Sequence, residues 1–172
     1  ATAYACKLSG LNSLGIIRGE EPQKLSYTLQ QAKKLGMNLL FVSRSAYKEP
    51  LPIQKKFENL YWVPEGGYGT PGAEGASKIL SFTPHPEKYS HMICAVGTGT
   101  MMAGLIKAIN PLQQVVGISA MKGNYSLHEK IISLLNEEER KKSFGIEHDF
   151  HFGGYAKQTP QLLEFMQQTW QQ

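Results

Sequence analysis

The residues of this chain with the clearest chemical potential are Gly97-Thr98-Gly99-Thr100. They follow an apolar run, Met92 to Val96, that is typical of a buried strand, and they precede apolar residues at helical spacing. A strand, a glycine turn and a helix start bring several backbone N–H groups together at the positive end of the helix dipole, where a phosphate or a carboxylate can bind. The hydroxyls of Thr98 and Thr100 can add donors to such a site. A plain strand-to-helix turn, in which the glycines only allow positive φ, is the alternative explanation.

This loop differs from two common nucleotide-binding motifs. No Gly-Lys-Ser or Gly-Lys-Thr follows it, so it is not a Walker loop. The next glycine after Gly99 is Gly104, which does not fit the spacing of the dinucleotide-binding fingerprint. The sequence therefore predicts an anion site without identifying the anion.

A second glycine-rich stretch, residues 64–72, follows a predicted short strand at Tyr61 to Val63. A glycine-rich loop after a strand end is well placed to line a ligand crevice, and short loops of this composition are often functional. We therefore expect residues 64–72 to line the site, with a flexible connection as the alternative.

Among the other candidates, His148 and His151 most resemble metal ligands. In the strand predicted over residues 146–152, however, two residues three positions apart point to opposite faces and do not chelate one ion together. We therefore predict no metal site. Neither Cys6 nor Cys94 has a neighbouring histidine that would make it a nucleophile, and the chain contains no G-x-S-x-G elbow.

Alternating helices and strands must hold these residues in place. Ser126 and Glu129 predict a capping box at the start of one helix, and Thr159-Pro160 is a typical start for the last. The order of elements predicts an α/β fold with mainly parallel sheets flanked by helices. The predicted strands are 14–17, 37–42, 61–63, 92–96, 115–120 and 146–152, and the predicted helices are 1–8, 25–35, 73–80, 102–109, 127–135 and one from 160 onward.

Composition excludes several classes of protein. The chain has 172 residues, a net charge of +4, 41% hydrophobic and 19% charged residues, which is ordinary for a globular protein. Its basic residues are scattered, whereas a nucleic-acid-binding protein needs a longer basic stripe interleaved with aromatic residues. No run is long enough to span a membrane, and we expect no signal peptide. Two cysteines are a poor disulfide framework, so we expect a cytoplasmic protein.

Four motifs stand in the chain in a recognisable order. They are Ile16-Ile17-Arg18-Gly19-Glu20, Val63-Pro64-Glu65-Gly66-Gly67, Val96 to Thr100 with Ala103-Gly104-Leu105, and His151-Phe152-Gly153-Gly154-Tyr155-Ala156. Together they resemble the 1-aminocyclopropane-1-carboxylate deaminase and D-cysteine desulfhydrase family, over nearly the whole chain. Members of this family are pyridoxal-phosphate enzymes with the tryptophan-synthase-β type of fold.

The resemblance assigns roles to individual residues. Gly97, Thr98, Gly99 and Thr100 would hold the phosphate of pyridoxal 5'-phosphate, which agrees with the argument from the loop itself. Tyr155 would be the active-site tyrosine. Met101 departs from the family pattern, because relatives often have a threonine there whose hydroxyl can also reach the phosphate.

The resemblance also implies a two-lobed organisation. Residues 1–58 would be part of a smaller lobe, and residues 59–172 part of a larger, phosphate-binding lobe. The boundary falls in residues 43–58, a segment with two prolines and several charges that we predict to be a loop or crossover. The partner would be a small amino-acid substrate, and a homodimer is the expected assembly.

By the same resemblance, the fold would be incomplete at both ends of this chain. The family's Schiff-base lysine, and a Ser-Asn-His segment that receives the substrate carboxylate, precede the position that matches Ala1. A second tyrosine lies beyond the position that matches Gln172. Because the opening residues are also typical of the middle of a helix, we expect a central portion of a longer enzyme that is inactive by itself.

The function implied is deamination of a small amino acid with pyridoxal phosphate as electron sink. The reaction would convert 1-aminocyclopropane-1-carboxylate to 2-oxobutanoate and ammonia, or D-cysteine to pyruvate, hydrogen sulfide and ammonia. The sequence does not select one of these substrates. A non-catalytic phosphate- or nucleotide-binding module, or an inert truncated homologue, is the alternative.

Overall fold

The computed structural model describes residues 1–49, 51–57, 59–154 and 157–171. The chain divides into two compact units, Ala1–Trp62 and Val63–Gln172. Every strand pair among the described residues is parallel, and helices accompany the strands in both units. The predicted α/β class with parallel sheets is therefore confirmed. The proposed lobe boundary after residue 58 stays a prediction.

The first unit contains a two-stranded sheet. The strands pair in register from Ser13↔Met37 to Arg18↔Val42. The side chain of Ser26 accepts a hydrogen bond from the Leu29 N–H and caps the helix that connects the strands. In chain order the elements are α1 (Thr2–Leu8), β1 (Ser13–Arg18), α2 (Tyr27–Lys34), β2 (Met37–Val42), α3 (Arg44–Lys48) and α4 (Leu51–Gln54).

The second unit contains a three-stranded sheet. Its strand order follows the sequence, so each strand pairs with the next one along the chain. Short 3-10 turns at Glu65–Gly67, Lys78–Phe82 and Pro86–Lys88 precede the sheet. The other elements are α5 (Thr70–Ser77), β3 (His91–Val96), α6 (Thr100–Ala108), β4 (Gln114–Ser119), α7 (Leu127–Ile132), α8 (Glu137–Arg140), β5 (Ser143–Glu147) and α9 (Pro160–Trp170).

Helix α6 lies at the centre of the hydrophobic core of this unit. Its Met102 and Ile106 are completely buried, as are Val115 of β4 and Ile131 of α7. Gly104 lets α6 approach α5 closely, because a Cβ at this position would overlap Ala76. The helix that follows the glycine–threonine loop is therefore held firmly by its neighbours on several sides.

Several local predictions are wrong. Tyr61 to Val63 is not a strand: the segment pairs with no strand among the described residues, and Tyr61 is exposed. Residues 43–58 are not only loop: they contain α3, which begins where the Ser43 side chain accepts a hydrogen bond from the Ala46 N–H. The last strand is Ser143–Glu147 rather than 146–152.

The capping box predicted at Ser126 is also wrong. Ser126 adopts helical φ and ψ of −73° and 0°, so its side chain does not cap the first turn of α7. A capping box forms instead at Asn136, which has an extended backbone and exchanges hydrogen bonds with Glu139. It starts α8, a separate short helix beyond the helix predicted over residues 127–135.

Over the part of the chain that the structure describes, no helix combines the length and the hydrophobicity needed to cross a membrane.

Candidate functional site

The carboxyl edge of the second unit's sheet gathers three connecting segments. Because β3, β4 and β5 are parallel, the segments that follow them all leave from the same edge. These segments are residues 97–99, 120–126 and 148–154. Ligands of open α/β sheets typically bind in the crevice outside this edge. The structure therefore brings most of the candidate site residues from the sequence to one side of the sheet.

The glycine–threonine loop ends at the start of α6. Gly99 is the N-cap, with φ of 95°, and no side chain caps the helix. Within the described ranges, no group accepts a hydrogen bond from the backbone N–H of Thr98, Gly99 or Thr100. The Thr98 and Thr100 hydroxyls lie 3.1 Å apart and form a pair. Backbone donors at the positive end of the helix dipole and two adjacent hydroxyls suit an anion with several oxygens.

Gly99 is required at this position for two reasons. Its left-handed backbone is unfavourable for a residue with a side chain. In addition, a Cβ would lie only 2.8 Å from Cγ1 of Ile131 in α7. The contact with α7 fixes the position of the loop from the side of the core.

The second glycine-rich stretch lies directly against the loop. The 3-10 turn Glu65–Gly67 includes Gly66, whose φ is 65°. A Cβ on Gly66 would lie 2.5 Å from Oγ1 of Thr98, so only glycine permits this approach. The first turn of α5 also lies close to the loop, because a Cβ on Gly72 would lie 2.9 Å from the Thr100 methyl group. Residues 64–72 therefore form a wall of the candidate site.

Asn124, after β4, is a site residue that sequence reasoning missed. Its Nδ2 donates a hydrogen bond of 3.3 Å to the carbonyl oxygen of Gly97. In a trans peptide the C=O and the following N–H point in opposite directions. This bond thus turns the Thr98 N–H away from Asn124. Only the fold reveals it, because the two residues are far apart in sequence.

The segment after β5 contributes His148 to the same edge. Its ring lies 5.4 Å from that of Tyr125, between centroids, and its Nδ1 is buried with no hydrogen-bond partner among the described residues. His151 instead accepts a hydrogen bond from the Gly153 N–H at Nδ1. No cluster of three metal-ligating side chains is found in the described ranges.

Tyr155, the predicted catalytic residue, lies outside the described residues, as does Ala156. The chain leading to it is described up to Gly154, where a Cβ would lie 3.3 Å from Cβ of Lys122. Lys122 follows β4, so Gly154 lies at the carboxyl edge. The role of Tyr155 stays a prediction.

Cys94, the one cysteine of the sheet, is not suited to nucleophilic chemistry. It lies in β3 with 8% of its surface exposed. Burial raises the pKa of its thiol above the ordinary value of 9.0, so it is protonated at neutral pH.

Comparisons with known proteins support the resemblance found in the motifs. A protein of Thermotoga maritima is 28% identical over 189 residues, and one of Pyrococcus horikoshii is 24% identical over 181. Each bears the name "Putative 1-aminocyclopropane-1-carboxylate deaminase". The matches cover 98% and 96% of this chain but only 60% and 56% of those proteins. The resemblance is confirmed, and the chain spans somewhat more than half the length of these relatives.

A solved structure supports the fold. The crystal structure of a hydrogen sulfide-producing enzyme from Fusobacterium nucleatum matches with a TM-score of 0.55 and 17% sequence identity. The match covers 86% of this chain and 56% of that one. No family model matches the chain. The fold class expected from the sequence is therefore confirmed by the elements of the chain and by a solved structure.

Proposed function

We propose that this chain forms the phosphate-binding part of a pyridoxal-phosphate-dependent deaminase or desulfhydrase that acts on a small amino acid. The observation that carries the proposal is the uncapped start of α6, with the Thr98 and Thr100 hydroxyls beside it. The names of the relatives, a deaminase and a hydrogen sulfide-producing enzyme, support the reaction class. Because the chain spans only part of those proteins, the whole activity is a proposal.

The described residues fit the phosphate of this cofactor. The N–H groups of Thr98, Gly99 and Thr100, the two hydroxyls and the dipole of α6 supply donors and positive potential for a dianion. Gly97 is exposed, and a Cβ added to it would meet no atom within 4 Å, so this side of the loop is open to a ligand. When bound, the cofactor withdraws electrons from the amino acid and so stabilises negative charge on its carbon.

Two further residues would orient the phosphate and move protons. Asn124 donates a hydrogen bond to the carbonyl oxygen of Gly97, so the N–H of Thr98 stays directed away from Asn124. Tyr155 would transfer a proton as a general acid–base group. A homodimer in the cytoplasm is part of the same proposal.

The phosphate site is tested by binding rather than turnover. The chain should bind pyridoxal 5'-phosphate more tightly than pyridoxal, and inorganic phosphate should compete. Thr98→Val and Thr100→Val each remove a hydroxyl donor to a charged group and should raise the Kd for the phosphorylated compound about tenfold. Thr28→Val, on the exposed surface of α2, is the matched control and should leave the Kd unchanged.

The binding assay also separates the alternative function. Comparable affinity for pyridoxal 5'-phosphate and a nucleoside monophosphate would favour a plain phosphate-binding module. Equal affinity for pyridoxal and pyridoxal 5'-phosphate would contradict the phosphate site altogether. Calorimetric titration of the same preparation with all three compounds decides between these outcomes.

The reaction is tested by its products. A form of the enzyme that turns over 1-aminocyclopropane-1-carboxylate releases 2-oxobutanoate without sulfide, whereas turnover of D-cysteine releases pyruvate and sulfide together. In that form Tyr155→Phe should lower kcat by about 10²- to 10⁴-fold, the usual range for one acid–base group. A variant as fast as its parent would remove Tyr155 from the mechanism.

A further inference from the structure

We infer that Tyr68 is a positioning residue for the phosphate loop: its hydroxyl fastens the Glu65–Gly67 turn to α7 and so holds that turn against Thr98. The inference rests on the proposed function for the identity of the ligand. Contacts among the described residues connect α7 to Tyr68, and the Glu65–Gly67 turn to Thr98.

The first step is the attachment of Tyr68 to α7. Its hydroxyl donates to the carbonyl oxygen of Lys130 at 3.0 Å and lies 2.9 Å from Oγ of Ser133. Ser133 Oγ also donates to the Lys130 carbonyl, at 2.8 Å. The last carbonyl groups of a helix have no partner inside it. Tyr68 thus satisfies a helix end that lies 62 residues further along the chain.

The second step is the contact between the turn and the loop. Tyr68 directly follows Gly67, and Gly66 lies against the Thr98 side chain, since a Cβ added to Gly66 would lie 2.6 Å from its methyl carbon. The same helix, α7, supports the loop itself through Ile131, which packs on Gly99. Helix α7 is therefore a common support: it holds the loop directly and the turn through Tyr68.

The third step explains why the turn needs such an attachment. Gly66, Gly67 and Gly69 all have positive φ, at 65°, 63° and 140°. Glycine loses more backbone freedom on folding than any other residue, so this stretch is costly to keep in one conformation. Tyr68 is the side chain among these glycines, and its ring packs against the hydrophobic core. The Tyr68 hydroxyl therefore holds this segment in one conformation, which the glycine-rich backbone alone does not do.

The test compares Tyr68→Phe with Tyr89→Phe in the whole chain. Phenylalanine keeps the ring of Tyr68 in the core but removes the hydrogen bond to the Lys130 carbonyl and the contact with the Ser133 hydroxyl. Tyr89 is 53% exposed and precedes β3 at the opposite edge of the sheet, so it is a matched control. Tyr68→Phe should weaken binding of inorganic phosphate and of pyridoxal 5'-phosphate about three- to tenfold, the range expected for loss of one hydrogen bond. Pyridoxal, which lacks the phosphate, should bind as before.

A second measurement does not depend on any ligand. The methyl resonance of Thr98 reports the contact with Gly66, and it should shift or broaden in Tyr68→Phe but not in Tyr89→Phe. Ser133→Ala should reproduce part of the effect, and the double variant should be no worse than Tyr68→Phe alone, because the two hydroxyls act through one contact.

The outcomes separate the inference from the proposed function. If the parent chain binds neither phosphate nor pyridoxal 5'-phosphate, the proposed function fails, while the Thr98 resonance still decides whether Tyr68 holds the loop. If Tyr68→Phe leaves both the resonance and the phosphate affinity unchanged, the inference is overturned. Equal weakening of pyridoxal and of its phosphate would also overturn it, because general loosening does not depend on the phosphate.

Discussion

The two ends of α6 are completed in opposite ways. At its carboxyl end, Nζ of Lys142 donates to the carbonyl oxygens of Ile106, Lys107 and Ile109 at 3.0, 2.6 and 2.9 Å. At its amino end, the N-cap is Gly99, and no side chain caps the helix. A cation of the chain itself therefore satisfies the negative end of the helix dipole, whereas the positive end is left for an anion.

The charges near the two ends differ in the same way. Beside Lys142, the partly buried Lys107 ammonium group forms ion pairs of 3.0 Å with Glu74 and with Glu139. Burial favours the neutral form of Lys107, but hydrogen bonds and charge from the two carboxylates outweigh it and raise its pKa. The carboxyl end is thus a closed network that contributes stability. The amino end of α6 lacks the stability that a side-chain cap would provide, but its backbone N–H donors stay available, as expected of a binding site.

The largest effect should come from Gly99→Ala, which adds a methyl group at the amino end of α6. Alanine must adopt a left-handed backbone and place its Cβ 2.8 Å from Ile131. The free energy of unfolding should fall by about 2–4 kcal/mol, since the backbone costs about 1–2 kcal/mol and overpacking costs at least about 1. Urea denaturation followed by circular dichroism measures the loss, and phosphate binding should disappear with it.

Gly123→Ala is the matched control for this change. Gly123 also has positive φ, at 72°, but a Cβ added there would meet no atom within 4 Å. The free energy of unfolding of Gly123→Ala should fall only by the cost of the left-handed backbone, about 1–2 kcal/mol. Equal losses at both positions would show that the contact with α7 does not matter.

The second-largest effect should come from Lys142→Met, which removes the ammonium donor from the carboxyl end of α6. Methionine keeps much of the apolar stem but leaves three carbonyl groups without their donor. The free energy of unfolding should fall by about 1.5–3 kcal/mol, the range for hydrogen bonds to a charged group. Lys141→Met is the control, because that side chain is 70% exposed and pairs only with Glu138 among the described residues. Phosphate affinity should stay unchanged in Lys142→Met, and a loss would mean that the two ends are not independent.

The smallest effect should come from Glu139→Gln, and it depends on pH. Burial pushes the pKa of the Glu139 carboxyl upward, but hydrogen bonds from the Asn136 N–H and from Lys107, with the charges of Lys107 and Lys142, outweigh it and lower the pKa below 4.5. The carboxylate therefore stabilises the fold above about pH 4.5, and this stability is lost as the pH falls through the lowered pKa.

The variant should accordingly be less stable than its parent at neutral pH, by at most about 1 kcal/mol. The difference should shrink below about pH 4.5. Glu138→Gln, at a carboxylate that is 81% exposed, serves as the control. Urea midpoints of the variant and the parent, measured at neutral and acid pH, give the comparison. A stability difference that grows in acid would contradict the lowered pKa of Glu139.

Much of the framework of the site follows from local sequence. The apolar run Met37–Val42 is a strand with the predicted bounds, and the strand before the loop begins one residue earlier than predicted, at His91. The helix after the loop also forms as its apolar spacing predicts. Hydrophobic periodicity is a local signal and determines local structure, so the strand, loop and helix order could be predicted.

Other local signals failed because they depend on backbone geometry or on a neighbour. Ser126 has the residue type of a cap but a helical backbone, whereas Asn136 has the extended backbone that a cap requires. Tyr61 to Val63 has strand composition but does not pair with any described strand. Residue type alone does not decide these cases.

The sequence by itself determined that α6 begins at a glycine–threonine loop and therefore offers backbone donors. Only the tertiary structure decided which end of the helix stays open. Lys142 reaches its carbonyl groups across 33 to 36 residues, Asn124 reaches Gly97 across 27, and Tyr68 reaches α7 across 62. Contacts of this kind depend on which strands pair and how closely the helices pack, and no local periodicity encodes them.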